Sequence, residues 1–418
     1  MPVSPAGAPA LRPLVAPVYV PTVVYAAGAS LLVPAQVLLA LRLGFDPAHV
    51  AALATWIGAF GVLASYASGT LVQRWGELRS LWVSTGAAAV ALVGTAIAVA
   101  SHAAGSPVAP VALVCALTLA DLADAVWSLA RQGLVADLAP PALRGRAMNT
   151  YGACQRLGRI AGPSLGAALL LIAGPGELLL AAAALMAFAC VLMSRGLGGA
   201  SPSPVTAGAG APPSYDGQVH GARRALLILG AGVLALAAVR TAKETLVPLW
   251  GAGVLGLPEA QVAVVVGAAA AMELVLFWPA GLALDRIGRA PVVVTALVVM
   301  GAGLIAMPLR EGVGWYVATA LVIGLGDGVG AGIVKTLGVD IAPAHGRSVF
   351  LGQWQAVASL GAFLAPALAS VVIAASGMAL ALPVIGGVGL LGGAWMARWT
   401  PRLVPHPHAP GRPGAPTS

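Results

Sequence analysis

The sequence predicts an all-α membrane protein: twelve transmembrane helices in two pseudo-symmetric six-helix bundles. Three observations carry that expectation. Of 418 residues, 59% are hydrophobic and only 9% are charged, whereas soluble domains carry roughly a quarter charged residues. Apolar runs long enough to cross a bilayer, about 20 residues at 1.5 Å each, recur along the whole chain. The second half of the chain also repeats the punctuation of the first. A mean hydropathy of +0.92 excludes a soluble enzyme, a disordered scaffold and a nucleic-acid binder, so the formal charge of +8 reads as bilayer orientation and not as affinity for nucleic acid. Strand alternation, the signature of a membrane barrel, is absent.

The first span is the uncharged run 13–41, too long for the apolar region of a signal peptide. Five more follow at 47–73, 78–101, 107–137, 147–173 and 176–194, and a second set at 223–251, 259–284, 290–309, 314–341, 348–374 and 377–397. Between the sets lies SPSPVTAGAGAPPSYDG, whose Pro, Ser and Gly content cannot bury a core and reads as a flexible linker. The predicted organisation is a tail (1–12), a first bundle (13–195), a linker (196–222), a second bundle (223–399) and a tail (400–418).

Arginine placement sets the expected orientation. With the N-terminus inside, fourteen arginines fall in the inner loops and tails, and only Arg42 and Arg310 in the outer ones. That bias puts both termini in the cytoplasm. Arginine supplies all but two of the 22 basic residues, and Ala and Gly are abundant, as in proteins of GC-rich bacteria, so a bacterial cytoplasmic membrane is the expected location. Cys115, Cys154 and Cys190 lie inside apolar runs with no paired spacing, which fits neither a disulfide framework nor a metal site.

The halves share an ordered set of residues. Leu43-Gly44-Phe45-Asp46-Pro47-Ala48-His49-Val50 parallels Leu255-Gly256-Leu257-Pro258-Glu259-Ala260-Gln261-Val262 at an offset of 212, and the same offset pairs Gly69, Arg74 and Gly76 with Gly281, Arg286 and Gly288. Further on, at an offset of 203, Asp124, Asp137 and Pro140 pair with Asp327, Asp340 and Pro343, and Gly158 and Pro163 with Gly361 and Pro366. Duplicated halves related by an axis along the membrane normal are a transporter architecture.

These residues resemble the major facilitator superfamily across essentially the whole chain. Its short motif G-x-x-x-D-R-x-G-R between the second and third helices is echoed here between the eighth and ninth as Gly281, Asp285, Arg286, Gly288 and Arg289. The first copy keeps Gly69, Arg74 and Gly76 but has Gln73 for the Asp and Glu77 for the final Arg. The fifth helix carries Gly158, Gly162, Pro163 and Gly166, similar to the antiporter motif G-x-x-x-G-P-x-x-G-G of the drug:proton efflux group. The resemblance implies two bundles around a central cavity lined by the first, fourth, seventh and tenth helices. It also implies proton-coupled export of a small, largely apolar molecule by a monomer embedded in the lipid bilayer.

The glycines at i and i+4 of the fifth helix allow close helix approach, and Pro163 kinks it; packing and a hinge-like seal between the bundles are the two roles open to them. An inner gate is expected from Arg74, Asp137 and Arg144 with Asp285, Arg286, Asp340 and Arg347. Asp285 lies beside Arg286 and Arg289, and each of Asp137 and Asp340 precedes an arginine by seven residues.

Ionisable groups at bilayer depth are costly, and each is a functional candidate. Asp124, Glu273 and Asp327 lie about 20 Å from the outer ends of their helices and are the proton-coupling candidates. The alternative is a permanent salt bridge, Asp124 with Arg131 or Asp327 with Lys335. Tyr25, Gln36, Asp121, Trp127, Arg240 and Glu244 are the substrate-cavity candidates, with Arg240 and Glu244 close enough on one helix to neutralise each other. Arg131, Arg156 and Arg159 are expected to snorkel or to pair with the acids of the fourth helix. The chain has no P-loop, HExxH, GxSxG or CxxC, so neither ATP drive nor an enzyme is expected, and no cofactor or metal. Proton-linked uptake of a small metabolite or anion is the runner-up to efflux. A non-transporting sensor and a lipid-modifying enzyme are remote alternatives.

Overall fold

The computed structural model describes residues 14–45, 47–100, 108–139, 143–196, 219–343 and 346–404. The tail 1–12, most of the linker and most of the second tail lie outside them. The described residues are helical almost throughout. The first six α-helices are α1 (Val20–Arg42), α2 (Pro47–Trp75), α3 (Glu77–Ala100), α4 (Val108–Leu138), α5 (Arg144–Leu170) and α6 (Pro175–Gly196). The second set is α7 (Val219–Gly253), α8 (Glu259–Arg286), α9 (Arg289–Ala306), α10 (Val313–Val329), α11 (Ile333–Ile341), α12 (Arg347–Ser376) and α13 (Met378–Leu403). Because α10 and α11 continue one another, these make twelve spans, and the protein is a multi-pass membrane protein. Eleven of the spans are long and apolar enough to cross a membrane by composition alone. The other, α5, carries Arg144, Arg146, Arg156 and Arg159 and crosses as part of the bundle.

Three local features depart from the sequence reading. The first span opens with a π-helical turn, Val15–Tyr19, which turns the Pro17 and Val18 carbonyls toward a side chain of α4. The seventh helix starts at Val219 and not at 223. The tenth span, expected to be continuous over 314–341, breaks at Gly330–Gly332, inside a run with glycine at every second position from Gly324 to Gly332, where glycine lowers the barrier to leaving the helix.

The repeated punctuation has the same conformation in both halves. Gly76 and Gly288 turn the chain between α2 and α3 and between α8 and α9 with φ of 78° and 105°. A side chain rarely adopts that backbone, so these positions require glycine. One hydrophobic core is drawn mainly from α1–α6 and a second from α7–α13.

The glycines of the fifth span correct the idea of a seal between bundles. A Cβ on Gly158 would lie 2.5 Å from the Val23 carbonyl oxygen, and one on Gly162 2.6 Å from that of Ala27. The stripe therefore seats α5 on α1 inside its own bundle, with Ser30 Oγ donating to the Gly158 carbonyl at 3.2 Å. Gly361 of α12 approaches the Leu234 backbone of α7 in the same way. Gly166 is buried and Pro163 exposed.

The bundles meet through other glycines. A Cβ on Gly69 of α2 would sit 2.6 Å from the Ser348 carbonyl oxygen of α12, and one on Gly281 of α8 would sit 3.0 Å from Arg146 Cα of α5. These are the two glycines that open the repeated short motif. Both crossings lie toward the end of the molecule where α1 begins and α13 ends, called here the arginine-rich end.

Candidate functional site

Between the bundles lies a cavity of about 540 Å³, large enough for a small organic molecule. Its walls carry five basic side chains, Arg156 and Arg159 from α5, Arg240 and Lys243 from α7, and Lys335 from α11, beside the acids Glu244 and Glu273. Helical phase explains the first four. Arg156 and Arg159 are three residues apart on one face of α5, as are Arg240 and Lys243 on α7.

Asp327 of α10 is fully buried and binds three of these cations. Arg156 Nη2 reaches it across the bundle interface at 2.7 Å, Arg240 Nε at 2.6 Å and Lys243 Nζ at 2.6 Å. Glu273 of α8 is paired with Arg156 and Lys243. Arg240 Nη2 also donates to the Gly330 carbonyl at 2.6 Å, which accepts from Ile333 N–H at 3.2 Å as well, so the broken tenth span supplies both a carboxylate and a backbone oxygen to one guanidinium. Three cations against two carboxylates leave this buried cluster one positive charge in excess.

Lys335, at the start of α11, donates to the side-chain oxygen of Gln155 and lies 4.1 Å from the Tyr151 ring centroid. Gln155 Nε2 in turn donates to the Tyr151 hydroxyl at 3.1 Å. Among the described residues no carboxylate lies within ion-pair distance of Lys335.

The predicted site residues divide accordingly. Asp327, Glu273 and Arg240 converge, but through partners the sequence did not indicate. Arg240 pairs with Asp327 and not with Glu244, which is exposed toward the cavity. Lys335 does not pair with Asp327. Asp124 approaches Arg159 at 3.9 Å and not Arg131. Asp121 faces away, toward α2, where its Oδ2 lies 3.3 Å from the Cβ position of Gly61 and is buried without a hydrogen-bond donor among the described residues. Tyr25 and Trp127 do not line the cavity. They stack at 4.0 Å between ring centroids in the interior of the first bundle, because the cavity edge of α4 falls at Ser128 and the next residue on a helix points about 100° away. Gln36, half-buried on α1, is not part of the wall either.

Arg131 neither snorkels nor pairs with an acid of α4. It is fully buried, donates to the Pro17 and Val18 carbonyls at 2.7 and 3.1 Å, and lies over the Trp127 ring at 5.0 Å. Sequence reasoning missed Gln155, which carries no charge to mark it, and left the cavity-facing Arg156 and Lys243 outside the predicted site. Their charges inside apolar spans were visible, but the partners were not, and those of Arg156 lay in the other half of the chain.

Toward the arginine-rich end the cavity is closed. Asp285, at the end of α8, accepts from the first backbone amides of α5, Gly145 at 2.7 Å and Arg146 at 3.2 Å, and pairs with Arg146 Nε at 3.1 Å. It thus caps a helix of the opposite bundle. It was expected beside Arg286 and Arg289. Arg289 instead holds Asp340 at 2.7 Å within its own bundle, while Arg286, like Arg74, is exposed and has no ion pair among the described residues. Gln73 occupies the equivalent place beside the start of α12, 3.9 Å from the Cβ position of Gly346. It brings no charge, and the second link is made by Asp137 with Arg347 at 2.6 Å. Arg144 does not pair with Asp137; it donates to the Ala136 carbonyl at 3.3 Å.

Two solved structures share this architecture. The human organic anion transporter MFSD10 (TETRAN) superposes with a TM-score of 0.71 at 17% identity, covering 93% of this chain and 100% of that one. The proton:xylose symporter XylE bound to 6-bromo-6-deoxy-D-glucose gives 0.72 at 13% identity, covering 93% and 95%. Among curated sequences none matches this chain. The family model of the Major Facilitator Superfamily matches residues 19–278 and 232–417, and with its repeated bundles, the motif glycines at their crossings and the central cavity, the chain belongs to that superfamily of membrane transporters.

Proposed function

We propose that the protein is a secondary active transporter that moves a small organic anion together with a proton by alternating access. The observation that carries this is the charge of the cavity. Five basic residues face it. Even with Asp124 and the buried Asp327 counted beside Glu244 and Glu273, only four carboxylates oppose them. One negative charge on the substrate restores neutrality at a depth where an uncompensated charge is costly. Lys335, without a carboxylate, and Arg156, shared between Glu273 and Asp327, are the docking points for that charge. The alanines and valines of the remaining wall fit its organic body.

We infer proton coupling from a second consideration. A substrate anion bound to Arg156 displaces a carboxylate from it, and a proton on that carboxylate spares it an unpaired charge at membrane depth; substrate and proton together leave the site the net charge it has when empty. Substrate and proton then travel in one direction, so uptake by symport replaces efflux of apolar molecules as the favoured function. The glycine stripe of α5 packs within one bundle and lends no support to a seal specific to antiport. The likeness to an anion transporter and to a proton symporter agrees with this substrate class and coupling, although at 17% and 13% identity it carries the fold alone.

By the positive-inside rule we assign the arginine-rich end and both termini to the cytoplasmic side, so that the closed end faces inward and the cavity is presented to the outside. The test is direct binding. Purified protein titrated with carboxylates and their uncharged amides should bind the carboxylates at least about tenfold more tightly, the scale of a charge-assisted hydrogen bond. Equal affinity for acid and amide would refute an anionic substrate.

A further inference from the structure

We propose that the start of α7 and the end of α13 form a docking site for the headgroup of an anionic phospholipid. The two helices run antiparallel in contact. Trp395 Nε1 donates to the Ile228 carbonyl at 2.7 Å, Gly232 packs on Met396, and a Cβ on Gly392 would lie 2.7 Å from Ala235 Cβ. The stripe Ile228, Gly232, Ala235 of α7 therefore faces α13. One turn further toward the arginine-rich end the same stripe reaches Arg224, level with the turn of α13 that holds Arg398, Trp399 and Arg402.

That turn is prearranged. The Arg398 and Arg402 guanidinium carbons lie 5.6 and 5.9 Å from the Trp399 ring centroid, and Arg402 also donates to the Arg398 carbonyl. Cation–π contact restrains both side chains. Arg223, Arg224, Arg398 and Arg402 are all exposed. No acid occurs on α13, nor on α7 before Glu244, and among the described residues none of the four has an ion pair. Like charges gathered in this way call for an anion.

Position decides which anion. Immediately above the arginines the same helices expose Leu227 (76%) and Leu391 (74%), a surface for acyl chains, and Trp395 stands at the boundary as interfacial tryptophans do. An anionic diacyl lipid satisfies both parts of this surface, the basic patch and the apolar flank. Free phosphate satisfies only the first.

The test is native mass spectrometry of the full-length protein in detergent, titrated with cardiolipin, phosphatidylglycerol or phosphatidylcholine. Preferential binding of the anionic lipids is expected. R224Q combined with R402Q should weaken that binding by more than tenfold, since each arginine near the surface contributes about fivefold, with phosphatidylcholine binding unchanged. The charge-preserving R224K with R402K guards against misfolding and should retain it, as should R79Q with R195Q, which alters exposed arginines of the other bundle. Unchanged anionic-lipid binding in the glutamine variant, wild-type binding of phosphatidylcholine as tight as cardiolipin, or displacement of cardiolipin by inorganic phosphate would each overturn the proposal.

Discussion

Arg156 of α5 and Asp327 of α10 meet at 2.7 Å across the boundary between the two bundles, while Arg240 and Lys243 hold the same carboxylate from within its own bundle. Asp327→Asn would leave three cations facing Glu273 alone. Breaking one side of a buried ion pair costs about 3–5 kcal/mol, so this variant should lose measurable transport and unfold at a lower temperature in detergent. Removing a cation as well, D327N with R240Q, should recover much of the stability but not the transport. Thermal unfolding beside an uptake assay separates the two outcomes.

Lys335 makes a different contribution, because its partners are an amide and an aromatic ring. Lys335→Gln removes a charge that no carboxylate compensates. Stability should change little, while the apparent affinity for an organic anion should fall about 10- to 100-fold, the range expected for a lost charge-assisted contact. A KM series with the substrate anion measures this, and an unchanged KM would remove Lys335 from the docking site.

The closed end rests on Asp285 capping α5 and on Asp137 with Arg347. D285N with D137N should shift the population toward opening at the arginine-rich end by about 30-fold, since each link contributes on the order of 1 kcal/mol. Spin labels at Arg74→Cys and Arg286→Cys, both exposed and outside these links, should then report a longer distance across that end than in the parent. The same distance distribution in both would show that these links do not hold the gate.

Gly158 is required by its distance to α1. Gly158→Ala places a methyl group 2.5 Å from Ala26 Cβ and from a backbone oxygen, and overpacking of this kind costs about 1–3 kcal/mol. Gly86→Ala, where a Cβ meets nothing within 4 Å, should be neutral or slightly stabilising. Comparing their melting temperatures checks the packing role of the stripe.

The spans and their duplication are legible in the sequence because they depend on local properties, apolar length and punctuation. Gly76 and Gly288 mark turns that demand positive φ, and such positions announce themselves in any alignment of the two halves. Individual charges inside apolar runs announce themselves too, which is why Asp327, Glu273 and Arg240 are identifiable. Their partners are not. Arg156 and Asp327 stand 171 residues apart, and their meeting depends on how the bundles cross at Gly69 and Gly281. Trp127 and Ser128 differ by one residue, yet one is core and the other cavity wall. That choice is set by the rotation of α4 in its bundle, which a nearly all-apolar helix does not encode. The glycine run 324–332 is visible in the sequence, but the break at Gly330 gains its meaning only from Arg240, which takes the Gly330 carbonyl.

The most direct test is proton movement in liposomes containing the purified protein and an internal pH dye. An inward gradient of a small organic carboxylate should carry protons inward with it, and K335Q should abolish most of that flux. Protons moving against the substrate, or flux driven by neutral and cationic compounds but not by carboxylates, would contradict anion–proton symport.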